Sequence, residues 1–533
     1  MTVRTKRVLA TFSTIAVATL GLAACGGDSG DSDDNTLRLS LGEPKSLVPP
    51  NIGESEGGEI AEHVYAGLYD YTPDGMVEPV IADGEPTSED NKVWTIKIKE
   101  GFTFQNGEEI NAETFVKSWN YAANGANANQ GAGFLDSIEG WDDVQIPEGE
   151  EEPKEETMKG LKAKDDYVLE VTLDEAFIGF PLMLGYSAFY PLADACLDDI
   201  DACNEKPIGN GMYEIDGKWE HKKGIKLKKW DDFQGEQPKI DKINYKIYTG
   251  DAVCWPDFEA GKLDLCAPPA EEYEAAKEKY GDELLEDQGS DTWGLGFPVH
   301  QDLYADPDVR KAFSMAIDRE ALIDGLFQGR YIAADSYVPS MIPGHKAGTC
   351  GEACKFDADA AKELLDKSSW PEGEKVTLWV NKGTGEDYLK VIGDQISKNL
   401  GLDYTMKTLE WPDFLEKKTA HEITGPFLTG WIPDYPLNEN YMKPLYGNGP
   451  GNDFGFHDEK FEELLKEGDK AEDLDAALQK YQAAEERLAD QLPLAPLWVG
   501  TTATKLGDRI NPDSFERNTY MSGTYDYGKL DFQ

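Results

Sequence analysis

Positive charge is scarce in this sequence. Its 533 residues include 51 lysines and arginines against 102 aspartates and glutamates, which gives a formal net charge of −51 at pH 7. A protein that binds nucleic acid neutralises phosphates with Lys and Arg, so this balance argues against nucleic acid as a partner. The acidic excess is spread along the whole chain, as is typical of a hydrated surface that keeps a protein soluble.

The sequence motifs of common catalytic sites are also missing. The run Gly185–Phe189 lacks the second glycine of a nucleophile elbow, and no second histidine follows His421 and Glu422 at the spacing of a zinc-protease helix. No glycine-rich loop ends in Lys and Ser or Thr, so no phosphate-binding loop is present. The six histidines have no metal-ligand spacing: His63, His221, His300, His345, His421 and His457. We therefore expect no cofactor and no metal, and a secreted hydrolase is only a remote alternative.

The chain contains a single long apolar run, residues 8–20, which is short for a membrane span. Three basic residues precede it and Leu-Ala-Ala-Cys follows at 22–25, which is the order of an export signal. Because this string resembles the bacterial lipobox, we predict that residues 1–24 are removed and that Cys25 becomes the lipid-modified first residue. Residues 25–35 then form a flexible tether. The alternative is ordinary cleavage that leaves Cys25 as an unpaired thiol.

The other six cysteines fall into three close pairs, as expected for an oxidising compartment. They are Cys196 with Cys203, Cys254 with Cys266, and Cys350 with Cys354. Local disulfides are the simplest interpretation, each stabilising the fold by on the order of 2–3 kcal/mol. The alternative is a metal site built from Cys350, Cys354 and nearby His345, although the spacing is not that of a Cys-x-x-Cys pair.

Helix and strand patterns alternate along the chain, and no tandem repeat is present. Residues 93–99 alternate apolar and polar side chains, which predicts a half-buried strand. Asp306 and Pro307 are typical of an N-cap and first helical position. Leu474, Leu478 and Leu488 belong to the apolar stripe of a long helix. The patterns therefore predict an α/β protein, and its length predicts two or three lobes with room for a cleft.

A set of strings in a fixed order resembles the family 5 extracellular solute-binding proteins, the peptide, oligopeptide and nickel group. The strings are Leu37–Ser40, Glu43–Leu47, Phe102–Glu108, Pro207–Tyr213, Phe258–Asp264, Arg310–Glu320 and Trp431–Pro436. The resemblance implies a two-lobed fold like that of type II periplasmic binding proteins, with three subdomains and a hinge between the lobes. It also implies ligand capture for an ABC importer, whose permease would meet the closed protein.

By this resemblance, lobe I comprises residues 36–63, 185–285 and 494–533. Residues 64–184 form an additional subdomain of lobe I, and residues 286–493 form lobe II. The chain would cross between the lobes near residues 285 and 493, and these crossings would form the hinge. We expect a monomer, held on the extracytoplasmic face of the cell membrane by its lipid anchor.

The resemblance also implies a ligand site. In peptide-binding members, the aspartate three residues after the tryptophan receives the peptide α-ammonium, and Asp434 matches that position. Trp431 and Tyr435 would form the walls of adjacent pockets. The early loop would pair with the main chain of the ligand through Ile52, Gly53, Glu54 and Ser55. The structural alternatives are a loop cap for Asp434 and a core position for Trp431.

Two positions depart from the family pattern. Leu428 stands where an oligopeptide-binding relative carries an arginine, and Pro298 stands where an asparagine is common. Recognition of a peptide carboxylate is therefore left open. The predicted cargo is a peptide or another small solute that carries an amine, and the alternatives are a nickel complex, an oligosaccharide or a siderophore.

Overall fold

A computed structural model describes residues 35–147, 149–249, 251–383, 385–449, 451–517 and 525–533. The predicted export signal at 1–24, the lipid site Cys25 and tether residues 26–34 lie outside the described residues. Among those that are described, no helix is both long and apolar enough to cross a membrane.

Strands and helices are mixed along the chain, as predicted. The strands are β1 (Thr36–Leu41), β2 (Tyr69–Tyr71), β3 (Val77–Pro79), β4 (Val93–Lys97), β5 (Leu161–Asp165), β6 (Val168–Thr172), β7 (Tyr213–Ile215), β8 (Gly224–Lys229), β9 (Lys242–Ile247), β10 (Leu265–Cys266), β11 (Leu284–Gly296), β12 (Ile332–Ala333), β13 (Val376–Asn381), β14 (Tyr404–Leu409), β15 (Phe427–Trp431), β16 (Leu494–Leu506), β17 (Glu516–Arg517) and β18 (Tyr525–Asp526). The α-helices are α1 (Ser55–Val64), α2 (Ala112–Ala123), α3 (Phe180–Met183), α4 (Asp194–Asp198), α5 (Ile200–Glu205), α6 (Asp251–Glu259), α7 (Tyr273–Tyr280), α8 (Pro307–Met315), α9 (Arg319–Phe327), α10 (Ala358–Lys367), α11 (Glu386–Leu400), α12 (Trp411–Thr419), α13 (Lys443–Tyr446), α14 (Glu459–Asp469) and α15 (Leu474–Gln491).

Local sequence signals set several helix starts. Asp306 caps α8 by accepting a hydrogen bond from the Asp308 backbone N–H at 3.0 Å, with Pro307 at the first helical position. Asn111 caps α2 and exchanges hydrogen bonds with Thr114 in a capping box. Both helices, α2 and α8, therefore begin where their capping residues predict.

The two longest strands, β11 and β16, pair antiparallel and form the spine of the largest sheet. In the described residues, this sheet has the order β10–β16–β11–β15–β13–β14, with β12 also against β16. The register of β11 with β16 shifts between Gln288 and Thr292, so the pairing has two stretches joined at an irregular point. A separate sheet of order β1–β9–β8–β7 contains β1 parallel to β9.

Three strands of the predicted additional subdomain form a sheet of order β4–β6–β5. The predicted alternation places Trp94 and Ile96 on its buried face, 4% and 0% exposed. The lobe boundaries at 63, 184, 285 and 493 stay predictions. Below, "the inserted segment" means residues 64–184 and "the second-lobe segment" means residues 286–493.

Two buried arginines anchor helices to the start of the spine. Arg319 is 5% exposed and donates to the Pro496 carbonyl of β16 at 2.7 Å and to Ser314 Oγ at 2.8 Å. Arg310 donates to the carbonyls of Gln491 and Leu492, where α15 ends, at 3.0 and 3.1 Å. Burial lowers the pKa of each guanidinium to about 10, yet both stay charged at neutral pH.

Disulfides join Cys196 to Cys203 and Cys350 to Cys354 in the structure. Cys254 and Cys266 are both buried in one apolar cluster, and a bridge between them stays a prediction. Within the described residues, no group of three or more His, Cys, Asp or Glu is arranged to hold a metal ion.

Replacing Arg319 by alanine is expected to destabilise the protein strongly. The change leaves several buried carbonyls without donors, so we expect the free energy of unfolding to fall by about 3 kcal/mol or more. The measurement is the urea unfolding transition. As a matched control, Arg487→Ala removes an arginine that is 37% exposed and pairs with Asp458, and it should cost about 1 kcal/mol or less. Equal losses for the two variants would contradict the anchoring role of Arg319.

Candidate ligand-binding cleft

The loop that carries Asp434 leaves the largest sheet at a fixed point. Trp431 is the last residue of β15 and pairs with Thr292 of β11. Thr292 in turn pairs with Val499 of β16, so Trp431 is attached to the spine. Asp434 follows three residues later, just beyond the edge of regular structure.

Asn440 holds the Asp434 loop in place. Its Oδ1 accepts hydrogen bonds from the Asp434 backbone N–H at 2.9 Å and from the Trp431 indole Nε1–H at 3.3 Å. Because Asn440 is itself 1% exposed, this one amide fixes the position of both predicted ligand residues.

The Asp434 carboxyl is partly buried and has no cation beside it. Burial raises its pKa to about 6, the Asn440 hydrogen bond opposes this shift, and repulsion from Asp136 adds to it. In the part of the chain that the structure describes, no Lys, Arg or His forms an ion pair with Asp434. A carboxylate in such surroundings is stabilised by an external cation.

The Tyr186 hydroxyl lies within electrostatic reach of both Asp434 and the early loop. Burial raises the pKa of the Tyr186 hydroxyl, and the negative charges of Asp434, Glu62 and Glu54 raise it further. Asp434 and the predicted loop residue Glu54 therefore lie around the same tyrosine, although they are 380 positions apart in the chain. Sequence analysis did not identify Tyr186 as a site residue, since no motif includes it.

The four early-loop residues differ in what they offer a ligand. Ile52 is 3% exposed and packs in an apolar cluster, so only its main chain is available. Glu54 accepts hydrogen bonds within its own loop, from the backbone N–H of Lys45 at 2.9 Å and of Gly53 at 3.3 Å. Gly53 and Ser55 are exposed. This arrangement suits the predicted main-chain contacts better than contacts from side chains.

A cavity of about 910 Å³ lies next to Trp431, between the inserted segment and the second-lobe segment. We call it the aromatic cavity because of the rings that line it: Phe177, Trp293, Tyr337, Trp411, Trp431, Tyr435, Tyr441, Tyr446 and Phe454. Of the predicted site residues, Trp431 and Tyr435 line the cavity, whereas Asp434 and residues 52–55 lie outside its lining. Its volume is at the upper end for a small-molecule site.

A buried polar network supports the wall of the aromatic cavity. The Tyr435 hydroxyl donates to Glu439 Oε2 at 2.6 Å, and Lys443 Nζ lies 2.9 Å from Asp469 and 3.7 Å from Glu439. Burial raises the pKa of Glu439 to about 7, with Lys443 opposing the shift. Sequence analysis did not identify this network. The available signal was the polar run Asn438–Asn440, two residues after the Trp431–Pro436 string, and all three of its residues are buried.

The two departures from the family pattern both lie in the core. Leu428 is 3% exposed and pairs with Leu295 across β15 and β11. Pro298 is also buried. Neither side chain is among those that line the aromatic cavity.

The chain is similar in sequence to known proteins over most of its length. The family profile described as "Bacterial extracellular solute-binding proteins, family 5 Middle" matches residues 76–453. The oligopeptide-binding protein OppA of Bacillus subtilis is 24% identical over 515 residues, which cover 91% of this chain and 93% of OppA.

Two solved structures have the same fold. HbpA2 from Haemophilus parasuis aligns with a TM-score of 0.80 at 21% identity, covering 94% of this chain and 100% of HbpA2. OppA of Listeria monocytogenes bound to peptide aligns with a TM-score of 0.70 at 22% identity, covering 94% of this chain and 99% of that OppA.

Replacing Asp434 by asparagine is expected to stabilise the ligand-free protein at neutral pH. Because the pKa of Asp434 is about 6 in the folded protein and near 4 in the unfolded chain, stability is lost as pH rises through this interval. The variant avoids that loss, so we expect its melting temperature at pH 7.5 to rise by roughly 1–2 °C. Scanning calorimetry at pH 4.5, where little of the folded Asp434 is charged, is the control and should reduce the difference. A lower melting temperature at pH 7.5 would contradict the unpaired, buried carboxylate.

Proposed function

This chain belongs to family 5 of the bacterial extracellular solute-binding proteins, and we propose that it captures short peptides by their free α-ammonium group at Asp434. It is a binding protein and not an enzyme, like the relatives that it matches. Its fold is the predicted two-lobed α/β fold of type II periplasmic binding proteins, and it acts outside the cytoplasm.

One observation carries the proposal, namely a partly buried carboxylate with a raised pKa and no cation beside it among the described residues. A peptide ammonium supplies the missing charge, and charge-assisted hydrogen bonds of this kind contribute about 1.5–3 kcal/mol. The Asn440 amide already holds the backbone of Asp434 in place, so little ordering of the loop is needed on binding. A nickel complex, an oligosaccharide or a siderophore would not need a free amine.

A peptide held at Asp434 would use its main chain and its side chains differently in this proposal. Its main chain would pair with backbone groups of residues 52–55, and it would lie against the apolar face of Trp431, which lines the aromatic cavity. Main-chain pairing gives affinity without selecting side chains, whereas adjoining pockets add that selection. The relatives support this cargo, since OppA of Bacillus subtilis is named an oligopeptide-binding protein and OppA of Listeria monocytogenes was solved with peptide.

In this proposal, closure of the two lobes around the ligand precedes its delivery to the importer. The two crossings predicted near 285 and 493 lie next to the first residues of β11 and β16. The irregular pairing of these strands at 288–292 offers a point at which the sheet could bend. Ligand between the lobes favours the closed state because only that state contacts it from both sides. An ABC-importer permease would then receive the closed protein, with Cys25 holding it at the membrane by a lipid.

The requirement for a free amine on the ligand is tested by calorimetry with matched tripeptides. We expect trialanine to bind at pH 7.5, and its N-acetylated form to bind at least about tenfold more weakly because the ammonium is removed. Asp434→Asn should weaken trialanine to the same extent and leave the acetylated form unchanged. Affinity for trialanine should also fall as pH drops through about 6, where Asp434 becomes protonated.

Native mass spectrometry of the freshly purified protein identifies the class of any trapped cargo before titration. Equal binding of the free and acetylated tripeptides, or an Asp434→Asn variant with full affinity, would refute amine capture. Retention of an oligosaccharide or metal complex would favour the alternative cargo.

The lipid anchor is tested by Cys25→Ser in the full chain. The variant should be exported but recovered in the soluble extracellular fraction, whereas the unmodified sequence should fractionate with membranes. Mass spectrometry of the mature N-terminus supplies the second readout, with a diacylglyceryl adduct on Cys25 as the expected result. Membrane retention of the serine variant would contradict the anchor.

A further inference from the structure

The inserted segment places a row of carboxylates on one wall of the aromatic cavity. Asp136, Asp174 and Glu175 all line it, and within the described residues none of the three carboxylates forms an ion pair. Burial raises the pKa of Asp136, while nearby Lys443 lowers it. This wall therefore carries negative charge that the protein itself leaves largely unbalanced.

The lysines of the aromatic cavity do not neutralise that charge. Three lysines line the cavity, but Lys418 pairs with Asp453 at 2.8 Å and Lys443 pairs with Asp469 at 2.9 Å. These two cations are already matched by acids on their own side of the cavity. Lys466 is exposed and also borders a neighbouring open surface, which leaves the cavity with a net negative lining.

Two further observations mark the same wall as a cation site. Ser137 follows Asp136 in the sequence and lines the cavity, and its buried Oγ has no hydrogen-bond partner among the described residues. A serine hydroxyl accepts a hydrogen bond from an ammonium or guanidinium group. In addition, Lys443 Nζ lies 4.9 Å from the centre of the Phe177 ring, so this cavity already holds one cation over an aromatic face.

The carboxylate wall adjoins the proposed ammonium site. Asp136 is near enough to Asp434 for its charge to raise the pKa of that carboxyl. A peptide ammonium at Asp434 neutralises one of these two carboxylates. It leaves Asp136 with only the attraction of Lys443, which already pairs with Asp469. Trp431 and Tyr435 lie on either side of Asp434 in the sequence and both line the cavity. The part of a peptide held at Asp434 that would enter the cavity is therefore the side chain of its first or second residue.

We propose that the aromatic cavity takes a lysine or arginine side chain from one of the first two residues of the ligand, so that the preferred cargo is a cationic peptide. The proposal rests on the peptide function argued above. The aliphatic stem packs along Trp431 and Tyr435, and the charged end reaches Asp136 and Ser137. An uncharged side chain of equal length occupies the same part of the cavity but offers Asp136 no cation.

The test is calorimetry with peptides that differ only in this charge. Lys-Ala-Ala and Ala-Lys-Ala are compared with the same peptides carrying norleucine, which has the stem of lysine without its ammonium. We expect at least one lysine peptide to bind about tenfold or more tightly than its norleucine partner at low salt. The preference should shrink at high salt, because part of it is electrostatic.

A pair of variants separates the local contact from the overall charge. Asp136→Asn should reduce the preference for lysine to about threefold or less. Asp142→Asn is the matched control, since Asp142 is exposed, acts on Asp136 electrostatically and is not part of the cavity lining. It removes the same charge from the same region and should keep the preference.

The outcomes distinguish this inference from the proposed function. If trialanine binds in a way that depends on Asp434 but lysine and norleucine peptides bind equally, cationic selection is wrong and peptide capture stands. A preference that persists in Asp136→Asn, or that is lost equally in Asp142→Asn, also overturns the role of Asp136. Failure of every peptide to bind overturns both.

Discussion

The antiparallel pairing of β11 with β16 is the constraint on which the rest of the structure depends. Thr292 of β11 pairs with Val499 of β16 on one side and with Trp431 of β15 on the other. The position of the Asp434 loop is thereby set by a register that runs through the centre of the largest sheet. Arg319 holds Pro496 near the start of β16, so its hydrogen bonds secure the same strand.

This rigid support permits an unfavourable carboxylate at the edge of the sheet. Burial and repulsion from Asp136 raise the pKa of Asp434, so its charge costs folding free energy that a ligand can return. Asn440 prevents the loop from relaxing toward solvent, because it binds the backbone of Asp434 and the indole of Trp431 together. The ionised Asp434 carboxylate destabilises the empty protein, and a bound cation removes this cost, which adds to its affinity.

The sequence predicted features that depend on neighbours along the chain. The caps at Asn111 and Asp306 and the strand at 93–97 follow from local rules, and the resemblance of a few strings predicted the two-lobed fold. The position of Asp434 came from the Trp431–Pro436 string. Asn440, Lys443 and Asp136 were missed because no motif marks them. Asn440 acts within its own loop, whereas Lys443 pairs with Asp469, and Asp136 lies some 300 positions from Asp434, whose pKa it raises. Ile52 illustrates the same limit, since its burial leaves only its main chain for a ligand.

Proton release on peptide binding tests the account most directly. At pH 6 about half of the Asp434 carboxyls in the empty protein carry a proton, and a bound ammonium should displace it. Calorimetry of trialanine binding in buffers of different ionisation enthalpy measures this number. The account predicts release of roughly half a proton per peptide by the unmodified protein and close to none by Asp434→Asn. Peptide binding without proton release, or with equal release by both proteins, would contradict capture of the ammonium at Asp434.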